Sequence, residues 1–237
     1  MFPASSEAGP PAIPATPPRH YVPAPPPRGA AITGAVLLVA ALVIGLMLRS
    51  SVSAFGALDA QWAQWMEGPE SGPSMDFAGI LDRMGGPMGL IVPLALIGVL
   101  CVYGRWRSGL FAFVAAILAN VLVVIPLKQV VDRPRPPHPL VLVTNGSFPS
   151  GQVFTSVTLV MVAAVVLFPP RARRWWWLFG AAYVAAMMWS RIWLHAQWFS
   201  DTVAGAMAGA GICLLLWRAF ATLLEREALR AAAGRLF

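Results

Sequence analysis

Lys128, Arg135 and Arg191 each stand where a long apolar run gives way to polar sequence. Three stretches hold them and their neighbours: KQVVDRPRP from Lys128 to Pro136, FPSGQ from Phe148 to Gln152, and SRIWLHAQWFSD from Ser190 to Asp201. The three cations can make charge-assisted hydrogen bonds, the arginines to two oxygens at once. The Ser150 hydroxyl and the Gly151 amide add donors, and free amides at a helix start suit an anion. If folding gathers the three stretches at one membrane face, the product is a phosphate site.

Each part also has a plainer reading. Lys128 and Arg135 can snorkel to lipid headgroups, as basic residues at span ends do. Ser150 can cap a helix that begins at Gly151, where glycine lets the backbone approach closely. Asp201 can open a helix, where a carboxylate favours the dipole. Pro134, Pro136 and Pro137 rule out a continuous helix from Lys128 to Arg135, so Lys128 ends a span and Arg135 lies on a loop that folds back.

The elements that must position these residues follow from composition. The chain has 237 residues, of which 58% are hydrophobic and 11% charged. That is too apolar for a soluble domain and enough for one membrane bundle. A net charge of +7 does not point to nucleic acid, because the basic residues are scattered at the ends of apolar runs rather than clustered on a face. Anionic lipid headgroups and membrane topology account for them. Cys101 and Cys213 lie inside apolar runs and imply neither a disulfide framework nor a metal site.

Residues 1–28, with ten prolines and few large apolar side chains, read as a disordered tail. Apolar runs then predict an all-α, polytopic, six-transmembrane-helix bundle over 29–222, followed by a charged helical tail over 223–237. The spans are Ala30 to Leu48, Pro87 to Tyr103 with a possible kink at Pro93, Gly109 to Leu127, Val153 to Phe168, Trp175 to Leu194, and Asp201 to Phe220. Between the first two, Phe55, Leu58, Trp62 and Trp65 recur at helical spacing with Asp59, Gln61 and Gln64 between them. This is a short outward-facing amphipathic helix at the interface, or a connector packed on the bundle. A second short element covers Phe77 to Arg83.

Six spans put both termini on one side. With the termini cytoplasmic, eleven of the 17 basic residues fall inside and six outside, the usual bias for a cell-membrane protein. Four of the six outer ones, Lys128, Arg133, Arg135 and Arg191, belong to the three stretches. The site is therefore expected on the outer face.

Taken jointly and in this order, the three stretches resemble the type 2 phosphatidic acid phosphatase family. Its membrane members remove phosphate from lipid phosphates or diphosphates. The family pattern, K-x6-RP, then PSGH, then SR-x5-H-x3-D, is matched by Lys128, Arg135 and Pro136, by Pro149, Ser150 and Gly151, and by Ser190, Arg191 and Asp201. The resemblance runs from about Ala30 to Phe220. It implies a lipid phosphate or diphosphate of the polyprenyl diphosphate or phosphatidate type as ligand and membrane lipids as surroundings. No cofactor is expected, and no metal, because the three cations already supply the electrophilic role and no outward cluster of His and carboxylates has ligand spacing.

Gln152 and Gln197 stand where the pattern has histidines. In the family the third-motif histidine attacks phosphorus with the aspartate assisting, and the second-motif histidine protonates the leaving oxygen. A glutamine amide does neither, although it can hydrogen-bond phosphate. Two expectations follow. Either His195 substitutes as nucleophile, with Asp201 or another carboxylate orienting it, or the chain is an inactive relative that binds or transports a lipid phosphate. The first requires Leu194 to Gln197 to be extended, so that residues two apart share a side; on a helix His195 would point away. His138 is a weaker candidate acid.

Overall fold

The computed structural model describes residues 25–50, 55–143 and 146–233, and all its regular structure is helical. Each predicted span falls on a helix. We label them α1 (Ala30–Arg49), α2 (Gly56–Trp65), α3 (Pro73–Gly85), α4 (Ile91–Val102), α5 (Trp106–Val131), α6 (Gly151–Val166), α7 (Pro170–Trp193) and α8 (Phe199–Ala233). Three of them, Ala30–Arg49, Trp106–Val131 and Phe199–Arg230, are long and apolar enough to cross a membrane by length and composition. Ile91–Val102 and Gly151–Val166 are shorter apolar helices. Ile32, Val36, Val39, Ile91, Leu94 and Val102 are exposed on helix faces, which suits hydrocarbon and not water. The protein is an all-α membrane protein.

α6 lies against both α7 and α8, and α1 packs along α8. The α1 contact is close because it is made of glycine: a Cβ on Gly34 would meet the Gly211 carbonyl oxygen at 2.8 Å. Without a hydrophobic drive between helices in lipid, such close backbone approach supplies the packing. Phe148, Phe154, Ala204 and Ala208 fill the core beneath the three motif stretches, and Phe111, Val162, Val165 and Trp217 fill it at the other end. At that far end Glu227 accepts from the Arg107 and Ser108 amides at 2.7 and 3.3 Å, tying α8 to the start of α5. Arg173 donates to the Ala164 and Phe168 carbonyls at 2.8 and 3.1 Å, closing the end of α6.

Several expectations change. The proline-rich tail lies outside the described residues up to residue 24. The charged tail is not a separate element but continues α8 without a break to Ala233. Pro93 falls in the first turn of α4, after a 3₁₀ turn at Pro87–Leu90, where its missing N–H costs no helical bond. α2 is a helix but turns its carboxylate inward: Asp59 is 2% exposed, whereas Trp65 is 62% exposed. The reason is a half-buried partner of opposite charge, Arg133, which the spacing of apolar residues could not reveal.

α5 is widened into π turns at Val114–Leu118 and Asn120–Val124. Single π turns inside α-helices are common beside functional sites. Here the second one begins at Asn120, whose amide donates to Thr155 Oγ1 on α6 at 2.8 Å.

Candidate functional site

The ends of α5 and α7 and the starts of α6 and α8 meet at one end of the bundle. Lys128, in the last turn before Val131, donates to the carbonyls of Gly146 at 2.7 Å and Ser147 at 3.4 Å. Arg135, on the loop after α5, reaches the Ala196 carbonyl at 2.5 Å and the Gly146 carbonyl at 3.3 Å. Arg191, in the last turn of α7, donates from Nη1 to Asp82 Oδ1. It is 4% exposed, and its Nε is buried without a hydrogen-bond partner. All three cations line one cavity of about 500 Å³, together with Asp82, Gln152 and Gln197.

The carbonyl contacts orient Lys128 and Arg135. Among the described residues lining the cavity, Asp82 is the sole carboxylate. Burial, and then the charge of Arg191, draw the Arg135 guanidinium below its ordinary value. Concentrated like charge of this kind can be relieved by an anion, and a phosphate oxygen would also satisfy the orphan Arg191 Nε.

Local structure explains the placements. α5 stops at Asp132, which adopts a left-handed conformation (φ 42°), and the proline-rich loop then turns Arg135 back over the helix end. Ser150 caps α6, its Oγ accepting from the Val153 amide at 3.3 Å. The same hydroxyl donates to Gln197 Oε1 at 2.5 Å, while Gln197 Nε2 donates to the Ser147 carbonyl at 3.1 Å. α8 can approach this closely because residue 205 is glycine: a Cβ there would meet the Ser150 carbonyl at 2.5 Å. Gly151 lines the cavity at the start of α6. Gln152 donates to Asp82 Oδ1 at 3.2 Å, and its own Oε1 is buried without a partner.

His195 is elsewhere. Leu194 to Gln197 is a turn and not an extended segment: His195 has φ 49°, and the Arg191 carbonyl accepts from the Ala196 and Gln197 amides at 3.1 and 3.2 Å. This winding sends His195 into a second hollow of about 200 Å³, lined with Asp59, Glu67 and Pro136, and not into the cationic cavity. His138 is exposed on its loop. Asp201 is fully buried and does not orient His195 either. Its Oδ1 receives Arg133 Nη1 at 2.6 Å and its Oδ2 the Trp198 amide at 2.9 Å.

Two residues of the site are given no role by the sequence pattern. Arg133 links Asp201 to Asp59, which lies 2.6 Å from its Nη2, and Ser200 joins both ends of the pair. Its place inside KQVVDRPRP, between two residues already singled out, was the available signal. Asp82 is carried in by α3, which packs on α7 through the bond from Ser190 Oγ to the Ala78 carbonyl at 2.9 Å. A carboxylate just before a Gly-Gly break at the start of a span was its only mark.

Comparison with known proteins bears on this arrangement. The family model described as the PAP2 superfamily matches residues 109–225, a range that contains all three motif stretches. The chain belongs to the PAP2 superfamily. One solved structure of similar shape is described as the first transmembrane PAP2 type phosphatidylglycerolphosphate phosphatase from Bacillus subtilis. It superimposes with a TM-score of 0.61 at 18% identity, covering 80% of this chain and 96% of that one. No curated protein matches the chain. In this PAP2 chain the residues contributed by α2 and α3, Asp59 and Asp82, precede the matched range.

Proposed function

We propose that the protein binds a lipid-linked phosphate or diphosphate in the cationic cavity and does not hydrolyse it by a phosphohistidine route. The observation that carries this reading is the convergence of Lys128, Arg135 and Arg191 on one cavity, with a buried, unpartnered donor on Arg191. A similar fold in a phosphatidylglycerolphosphate phosphatase, and membership of the superfamily, favour a phosphate carried on a lipid. Against turnover stand Gln152 and Gln197, neither of which can attack phosphorus or pass a proton. His195 faces another hollow, and Asp201 is committed to Arg133.

In this reading six helices, α1 and α4 to α8, cross the cell membrane, the termini are cytoplasmic and the cavity opens at the outer face. The support is the distribution of arginines together with the position of Arg105, Arg107 and Arg173 at the opposite end of the bundle from the cavity.

Purified full-length protein in detergent is expected to bind a polyprenyl diphosphate or a phosphatidate and to release no phosphate from either. Arg191→Ala should lose the binding. The double variant Gln152→His/Gln197→His is expected to gain slow phosphate release, since it restores both groups the chemistry needs. Release by the wild type above the Arg191→Ala background would overturn the non-hydrolytic reading, and absence of binding would overturn the site.

A further inference from the structure

The cationic cavity does not end at its charged residues. Gly85, Gly89, Gln152 and Thr155 line both it and a further hollow of about 320 Å³, which runs along α6 between α4 and α7. Its polar groups lie at the mouth and, apart from Gln152 Oε1, are engaged with one another or with the first cavity. Thr155 holds Asn120 at 2.8 Å, and Ser156 donates to the Tyr183 hydroxyl at 3.5 Å. Deeper, the walls are Val92, Leu96, Leu159, Ala163, Leu167 and Phe179. Trp176 completes the lining there, held by its indole N–H on the Val160 carbonyl at 2.8 Å and stacked on Phe168 at 4.4 Å.

Such a space is a poor home for water, which needs two or more polar partners. It is suited to hydrocarbon, and its length can be read from α6. From Gln152 to Leu167 the helix rises about 22 Å, against about 30 Å for the whole apolar layer of a bilayer. The hollow thus reaches past the midplane. Spread over that length, its volume has the cross-section of one extended hydrocarbon chain, not of two side by side. A phosphate seated on Arg135 and Arg191 would have its esterified carbon beside Gln152, at the mouth.

We propose that this hollow binds the hydrocarbon tail of the ligand, and that it takes one tail, so that the cavity selects a single-chain lipid phosphate over a diacyl one. The inference rests on the reading of the cationic cavity as a phosphate site. Prenyl phosphates and lysophospholipid phosphates share the required chemistry, a phosphate on one long chain. Phosphatidate, with two chains on one glycerol, would have to leave its second tail outside.

The test measures binding of four probes to the full chain in detergent: a prenyl monophosphate, a lysophosphatidate, a dipalmitoyl phosphatidate and inorganic phosphate. The two single-chain probes are expected to bind at least about 10-fold more tightly than the other two. Whichever of them binds tighter identifies the source of the chain. Leu159→Trp fills the hollow from α6, and Val92→Trp, on the more exposed α4, fills it with less risk to folding. Both should remove the 10-fold advantage while leaving inorganic phosphate binding unchanged. Equal binding of phosphatidate, or single-chain affinity unaltered in both variants, would overturn the proposal. If inorganic phosphate and all lipid phosphates bind alike to wild type and Arg191→Ala, the phosphate site itself is wrong and the tail site falls with it.

Discussion

Arg191→Ala is expected to weaken phosphate binding by about 100-fold or more, the largest effect of any single cavity substitution. Two charge-assisted hydrogen bonds to a phosphate, from the orphan Nε and from Nη2, contribute about 1.5–3 kcal/mol each, and 1.4 kcal/mol is a factor of ten. The loss is compounded by Asp82, which Arg191 neutralises in the free protein. Without its guanidinium the cavity presents an unpaired carboxylate to an incoming anion. The converse substitution separates the two contributions. Asp82→Asn frees Nη1 and removes a negative competitor, so it is expected to tighten phosphate binding by about 10-fold. In the double variant, Arg191→Ala/Asp82→Asn, part of the loss should return, and the non-additivity measures how strongly Asp82 occupies the place of the ligand. Titration of inorganic phosphate into purified protein reads all four states. An Arg191→Ala affinity within a factor of two of wild type would remove this cation from the site.

What the sequence could disclose here was local, and what it could not was long-range. Apolar runs of span length, and the Ser-Gly start of α6 after a proline, depend on neighbours within a few residues, and each predicted span falls on a helix. The three cations could be assigned to one end of the bundle because each adjoins the end of such a run. Asp82 could not, since its partner Arg191 is 109 residues away. Arg133 and Asp59 are 74 residues apart, so Asp59 read as one polar residue on the wet side of an amphipathic helix. The fate of His195 turned on a backbone torsion. Leu-His-Ala contains no glycine to announce a left-handed residue, yet φ at His195 is 49°, and that one angle decides which hollow receives the imidazole.

The same long-range pairing makes Arg133 the residue on which the architecture of the site depends most. Its guanidinium holds Asp59 on α2 and Asp201 on α8 at 2.6 Å each and lies over the Trp198 ring at 5.4 Å. Asp59 in turn accepts from the Ser200 amide and hydroxyl at 2.9 and 2.7 Å, which fastens α2 to the first turn of α8. Arg133→Ala leaves two buried carboxylates without their common cation, and breaking a buried pair costs about 3–5 kcal/mol. For a chain of this length that corresponds to a fall in Tm on the order of 10 °C, measurable by thermal unfolding in detergent. Arg133→Lys keeps the charge but has one ammonium for two carboxylates and no planar fork, so an intermediate loss is expected. Because Trp198 and Asp201 anchor the turn that presents Gln197, phosphate affinity should fall with stability in Arg133→Ala. In Arg191→Ala, by contrast, affinity should fall much further than stability. An Arg133→Ala protein that melts within about 1 °C of wild type would mean that α2 is not secured through this pair, and that the stacking of Trp62 on Phe199 at 4.5 Å holds it instead.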